Sequence, residues 1–145
     1  MIAMLFTQFA ISSFLVVVCV TIHGFGLFGL SRVMHTERAR ERIERINPLS
    51  PRGTIFTLGV VIAIVMLHGT EIWLFAFVYL ILGAVGNFEQ ALYFSTISYS
   101  TVGYSDAHIQ LDWRLIGAFE SILGVILMGW STAFFFRILT RIDPH

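Results

Sequence analysis

Three stretches of this chain are apolar on every side, and the segments between them are polar and charged. Residues 4–30, 55–82 and 115–139 carry apolar side chains in long runs. An amphipathic helix would instead space them every three to four residues. At about 1.5 Å per residue each run is long enough to cross roughly 30 Å of hydrocarbon. Three transmembrane helices are therefore expected. Between the first two, residues 36–46 read as a charged helix with Glu41 and Arg45 as an i,i+4 pair. Ala39, Ile43 and Ile46 form one apolar stripe on it, which suits either a helix lying on the inner membrane surface or a solvated connector. Asn47-Pro48 ends it, and Ser50-Pro51 opens the next helix with a cap and a first-turn proline. A second cap, Asn87-Phe88-Glu89-Gln90, predicts a short helix starting near Phe88. The expected organisation is an N-terminal transmembrane helix in 1–35, an Arg-rich connector in 36–50 and a second unit in 51–145.

Composition agrees with a membrane chain. It is 57% hydrophobic and 12% charged, against roughly 25% charged in soluble domains. The net charge is zero, so nothing steers nucleic acid or acidic partners to it. The placement of charge is more informative. There is no lysine; Arg32, Arg38, Arg40, Arg42, Arg45 and Arg52 lie between the first two spans, and Arg137 and Arg141 follow the third. Only Arg114 lies between the second and third spans. The positive-inside rule then puts the connector and the C-terminus in the cytoplasm and the N-terminus outside a plasma (inner) membrane. Cys19 is the one cysteine, so no intrachain disulfide is possible. The N-terminus lacks the positive region of a signal peptide.

Thr101-Val102-Gly103-Tyr104-Ser105-Asp106 lies between the second and third spans, behind Ala91-Leu92-Tyr93-Phe94-Ser95. This resembles the filter and pore helix of the potassium-channel superfamily, whose filter reads T-V-G-Y-G-D. Ser105 stands where that pattern has its last glycine. The similarity covers about residues 51–140 and is that of a small bacterial-type channel with an outer helix, pore loop and inner helix. Residues 1–35 add a further transmembrane helix to that plan.

The resemblance implies an all-α membrane protein with three transmembrane helices, a re-entrant pore helix and a filter loop. It implies passive K+ conduction, with backbone carbonyls replacing the ion's water. The ion-binding residues would be Thr101, Val102, Gly103, Tyr104 and Ser105, with K+ held at Thr101, Val102, Gly103 and Tyr104. Gly103 tolerates the left-handed backbone such a row needs, and the Thr101 hydroxyl adds an oxygen at its inner end. One filter per chain supplies one side of a ring, so a homotetramer is expected. Its partners are the lipid bilayer and K+, with no cofactor beyond the permeating ion and no nucleic acid. No enzymatic activity is expected.

The same resemblance assigns filter support to Asp106 and to the adjacent aromatics Tyr93 and Phe94. Gly124 falls at the inner-helix hinge. Val125, Met128, Thr132 and Phe136 share one face with it and are expected to line the cavity. Phe135 and Phe136 are candidates for a constriction at the inner mouth or for lipid-facing residues. Trp73, Phe75, Phe77 and Tyr79 resemble an interfacial aromatic belt.

Ionisable residues at membrane depth are functional candidates. Measured from Arg52, His68 and Glu71 come out at about 24 and 28 Å, and Glu120 lies about 26 Å from Arg137. His23, nine residues from Arg32, comes out at about 14 Å and is not expected among them. Ile97 stands where many members of the family carry a bracing glutamate, so Glu120, with His68 or Glu71, is expected to brace the filter from the surrounding helices.

Three other readings stay open. The pore loses selectivity if Ser105 occupies a left-handed position, where a side chain costs about 1–2 kcal/mol. A non-conducting membrane subunit is a second. An intramembrane metal site or enzyme on His68 and Glu71, which share a helix face at i,i+3, is a third, although the chain carries no second motif of that kind.

Overall fold

The computed structural model describes residues 2–34, 50–103, 105–107 and 109–142. Tyr104 and the predicted helix at 36–46 lie outside them. Four α-helices make up the described architecture: α1 (Ile2–Met34), α2 (Pro51–Ile81), α3 (Phe88–Tyr99) and α4 (Arg114–Ile142). A 3-10 turn, Leu111–Trp113, leads into α4. No strand occurs among the described residues.

The three long helices are long and apolar enough to cross a membrane. At about 1.5 Å per residue, α3 spans only about 18 Å and does not cross it. Both predicted caps are in place. Ser50 Oγ accepts from the Gly53 amide at 3.2 Å, and Asn87 Oδ1 accepts from the Gln90 amide at 2.9 Å. The Gln90 side chain reaches back to the Gly86 amide at 3.2 Å, so two free donors at the start of α3 are satisfied reciprocally.

The packing order follows from a few contacts. Helix α1 runs antiparallel to α2, with Gly26 against Leu67 and His23 against Glu71. It runs parallel to α4, where Phe9 meets Phe119 and His23 meets Ser131. The buried side of α1 is Gln8, Ser12, Leu15, Cys19, His23 and Leu27, a seam at three- and four-residue spacing. Gln8 Oε1 accepts from the Leu115 amide at 3.1 Å and so caps the start of α4 from a neighbouring helix. The small residues of α1 are used locally: a Cβ at Gly26 would lie 2.6 Å from Leu67, whereas Gly29 faces open space.

The core lies between α2, α3 and α4 and includes Phe75, Tyr79, Phe94, Ile116 and Leu123. This corrects half of the expected aromatic belt. Trp73 and Phe77 are exposed, but Phe75 and Tyr79 are fully buried. They sit four and eight residues after Glu71 and so share its inward face.

Candidate functional site

Helix α3 ends where the predicted filter begins, and the chain folds back on its last turn. The Thr101 amide donates to Ser98 O at 2.9 Å and the Gly103 amide to Ile97 O at 2.9 Å. These bonds use carbonyls that a helix end leaves free. Thr101 and Gly103 both take a left-handed backbone, with φ of 61° and 54°. Glycine does so freely, whereas a β-branched residue there is an outlier. Thr101 is such a residue, so backbone strain falls there.

Thr101, Val102, Gly103, Ser105 and Asp106 are all exposed. Side-chain contacts stabilise the outer end of the segment. Ser105 Oγ accepts from the Ala107 amide at 3.1 Å, and Asp106 Oδ2 pairs with Arg114 Nε at 3.2 Å. Farther back, Gln110 ties the loop to the α2–α3 turn through Ala84 O and Gly83 O, both at 2.9 Å.

Two buried carboxylates face α3 from opposite sides. Glu120 of α4 accepts from Ser95 Oγ at 2.5 Å and from Tyr79 OH at 2.6 Å. Glu71 of α2 accepts from Tyr99 OH, the last residue of α3. Its other oxygen meets His23 Nδ1 at 2.9 Å, and His68 Nδ1 lies 2.7 Å from Tyr99 OH and 3.5 Å from Glu71 Oε2. Both glutamates and His23 are fully buried. Thus Glu120 does not pair with His68 or Glu71; each carboxylate has its own partners on α3.

His23 joins this layer, contrary to the depth estimate. That estimate assumed that Arg32 and Arg52 mark the same plane. In the antiparallel register His23 faces Glu71 and Gly26 faces Leu67, so Arg32 stands level with residues 61–62. Arg32 is therefore about 14 Å farther along the helix pair than Arg52. Its exposed side chain can extend to polar surroundings from there.

Of the two aromatics expected at the filter, Phe94 packs inward on Tyr79 with ring centroids 5.2 Å apart. Tyr93 is half exposed on the other side of α3. Gly124 is buried against the end of α3, where a Cβ would lie 2.0 Å from the Tyr99 carbonyl oxygen. Close backbone approach explains that glycine. Ser121 adds a hydrogen bond to Ser98 O at 2.8 Å.

A family model described as ion channel matches residues 61–141, more than half of the chain. The chain belongs to the ion channel family. No curated protein and no solved structure matches it. The matched stretch takes in most of α2 and all of α3, the 101–106 segment and nearly all of α4, but not α1. With three apolar helices, this channel is a multi-pass membrane protein whose partners are the bilayer and ions.

In this channel Val125, Thr132 and Phe136 are exposed on α4 and Met128 partly so, on the face opposite buried Leu123 and Leu127. Phe135 and Phe136 are adjacent, with ring centroids 6.5 Å apart. Tyr79, Ser95, Tyr99 and Ser131 were missed as polar partners in the sequence. The signal available for Tyr79 was its i,i+8 relation to Glu71; nothing local marked the serines.

Proposed function

We propose that this channel is a potassium-selective homotetramer in which four 101–106 segments line the conduction axis. The observation that carries the reading is the T-V-G-Y-S-D run at the C-terminal end of α3, with its left-handed Thr101 and Gly103 and exposed backbone. Left-handed residues reorient successive carbonyls, and a ring of such oxygens replaces the hydration shell of K+. A single strand presents one wall only, so the other three come from copies of the chain. Thr101, Val102, Gly103 and Tyr104 hold the ions, and Ser105 and Asp106 close the outer end.

Glu71 and Glu120 hold α3 in place through Tyr99 and Ser95 and thereby position Thr101. His68 completes the Glu71 side. Val125, Met128, Thr132 and Phe136 line the inner cavity. The N-terminus lies outside the plasma membrane and the C-terminus in the cytoplasm, a reading that the arginine distribution supports.

The test is ion uptake into liposomes holding only the purified protein. K+ and Rb+ are expected to enter far faster than Na+. Equal rates for K+ and Na+ would replace this reading with a non-selective cation channel, and no flux would leave a non-conducting subunit.

A further inference from the structure

We propose that His23, His68, Glu71 and Tyr99 form a binding site for a divalent transition-metal ion, with Zn2+ as the representative ligand. One donor atom from each of His23, His68 and Glu71 lies within 4.8 Å of the others. Donors bound to a tetrahedral Zn2+ sit roughly 3.3 Å apart. The separations are close to that: 2.9 Å from His23 Nδ1 to Glu71 Oε1, 3.5 Å from His68 Nδ1 to Glu71 Oε2 and 2.7 Å from His68 Nδ1 to Tyr99 OH. Small side-chain rotations open the group around an ion.

The donor chemistry selects the ion. Two imidazoles and a carboxylate suit Zn2+, Ni2+ or Cu2+, and they do not suit K+ or Mg2+, which take oxygen ligands. Tyr99 stands at the fourth corner. The Glu71 carboxylate offsets one of the ion's two positive charges, and the Tyr99 oxygen completes the set of four donors.

A supporting shell is already built. His23 Nε2 lies 3.0 Å from Ser131 Oγ, a buried hydroxyl on α4. Such an outer partner orients the ring, and because the hydroxyl can accept from Nε2–H, Nδ1 can give its lone pair to the ion once the proton it shares with Glu71 has moved. The rings of His68 and Trp130 flank His23 with centroids 5.1 and 5.5 Å away. The His68 side chain is 15% exposed while those of His23 and Glu71 are sealed, so the ion approaches past His68. His23 lies on α1, outside the residues matched by the family model, whereas His68, Glu71 and Tyr99 lie within them. The site does not depend on how the 101–106 segment treats K+.

The experiment uses the full chain, purified in detergent. Co2+ titration of the wild type is expected to give the intense visible absorption of a four-coordinate ion at one per chain, and Zn2+ to displace it. His23→Gln and His68→Gln are each expected to weaken Zn2+ binding by more than the roughly 10–100-fold that losing an outer-shell partner costs. Ser131→Ala, which keeps all four ligands, is expected to weaken it within that range. Absence of the four-coordinate Co2+ spectrum in the wild type overturns the proposal whether or not the variants assemble. Unchanged Zn2+ affinity in both histidine variants also overturns it, because the metal would then sit at other histidines.

Discussion

Glu71 and Glu120 are both fully buried and both hold α3, yet their surroundings differ in kind. Glu120 is met by two hydroxyls, from Ser95 and Tyr79, and among the described residues no cationic or basic side chain contacts it. Glu71 is met by one hydroxyl and two imidazoles, and its partners come from three helices. The Glu120 site is a compact clamp on the middle of α3. The Glu71 site links α1 to the last residue of α3, two residues before Thr101. Helix α1, outside the residues matched by the family model, is thus joined by polar contacts to the end that leads into the 101–106 segment. The same side chain serves as a fixed clamp in one place and as a junction in the other.

The largest effect is expected where α4 meets the end of α3. Gly124→Ala puts a methyl group onto the Tyr99 carbonyl, where backbone cannot move aside. Overpacking typically costs about 1–3 kcal/mol, and a 2.0 Å approach to backbone belongs at or beyond the top of that range. Loss of the monodisperse peak on size exclusion checks this. Gly117→Ala meets the tip of the Phe94 side chain at 2.9 Å rather than backbone and should cost less.

Removing one hydroxyl from each carboxylate sharpens the contrast. Tyr79→Phe leaves Glu120 with only Ser95, and a buried acceptor stripped of a partner costs about 1–3 kcal/mol. Tyr99→Phe leaves Glu71 its contact with His23 and should cost less stability. It should nevertheless disturb conduction more, because Tyr99 leads into Thr101. Thermal unfolding and ion flux on the two variants measure both halves; the opposite ranking in either assay would break the comparison.

Much of this was legible in sequence, and the misses have a common cause. The three spans, both caps and the start of α3 are local features written in runs, prolines and cap residues. The partners of the carboxylates are not local. His23 was excluded because depth was counted from arginines, and the antiparallel register that offsets Arg32 from Arg52 is set by packing of α1 on α2. Phe75 and Tyr79 read as interfacial aromatics because an apolar run hides which face turns inward. The close approach of Gly124 to Tyr99 was likewise invisible, because it is set by packing of α4 on α3.

Smaller effects are expected in the 101–106 segment. Thr101→Gly relieves a left-handed threonine, worth about 1–2 kcal/mol, and gives back about 0.5–1 kcal/mol in chain entropy. Stability should be unchanged or slightly raised while K+ selectivity falls, since the hydroxyl oxygen is lost. Ser105→Gly removes only the hydroxyl that accepts from the Ala107 amide and should leave ion preference as it is. Asp106→Asn breaks a largely exposed pair with Arg114 and should cost at most about 1 kcal/mol. Unfolding curves and flux ratios on the three variants check these expectations.

The central claim is that the 101–106 segments of four chains select K+. Its most direct test is the reversal potential of the purified wild-type channel in a planar bilayer, with KCl on one side and NaCl on the other. The account predicts a reversal potential that follows the K+ gradient and ignores Na+. A reversal potential near zero under these conditions would contradict it.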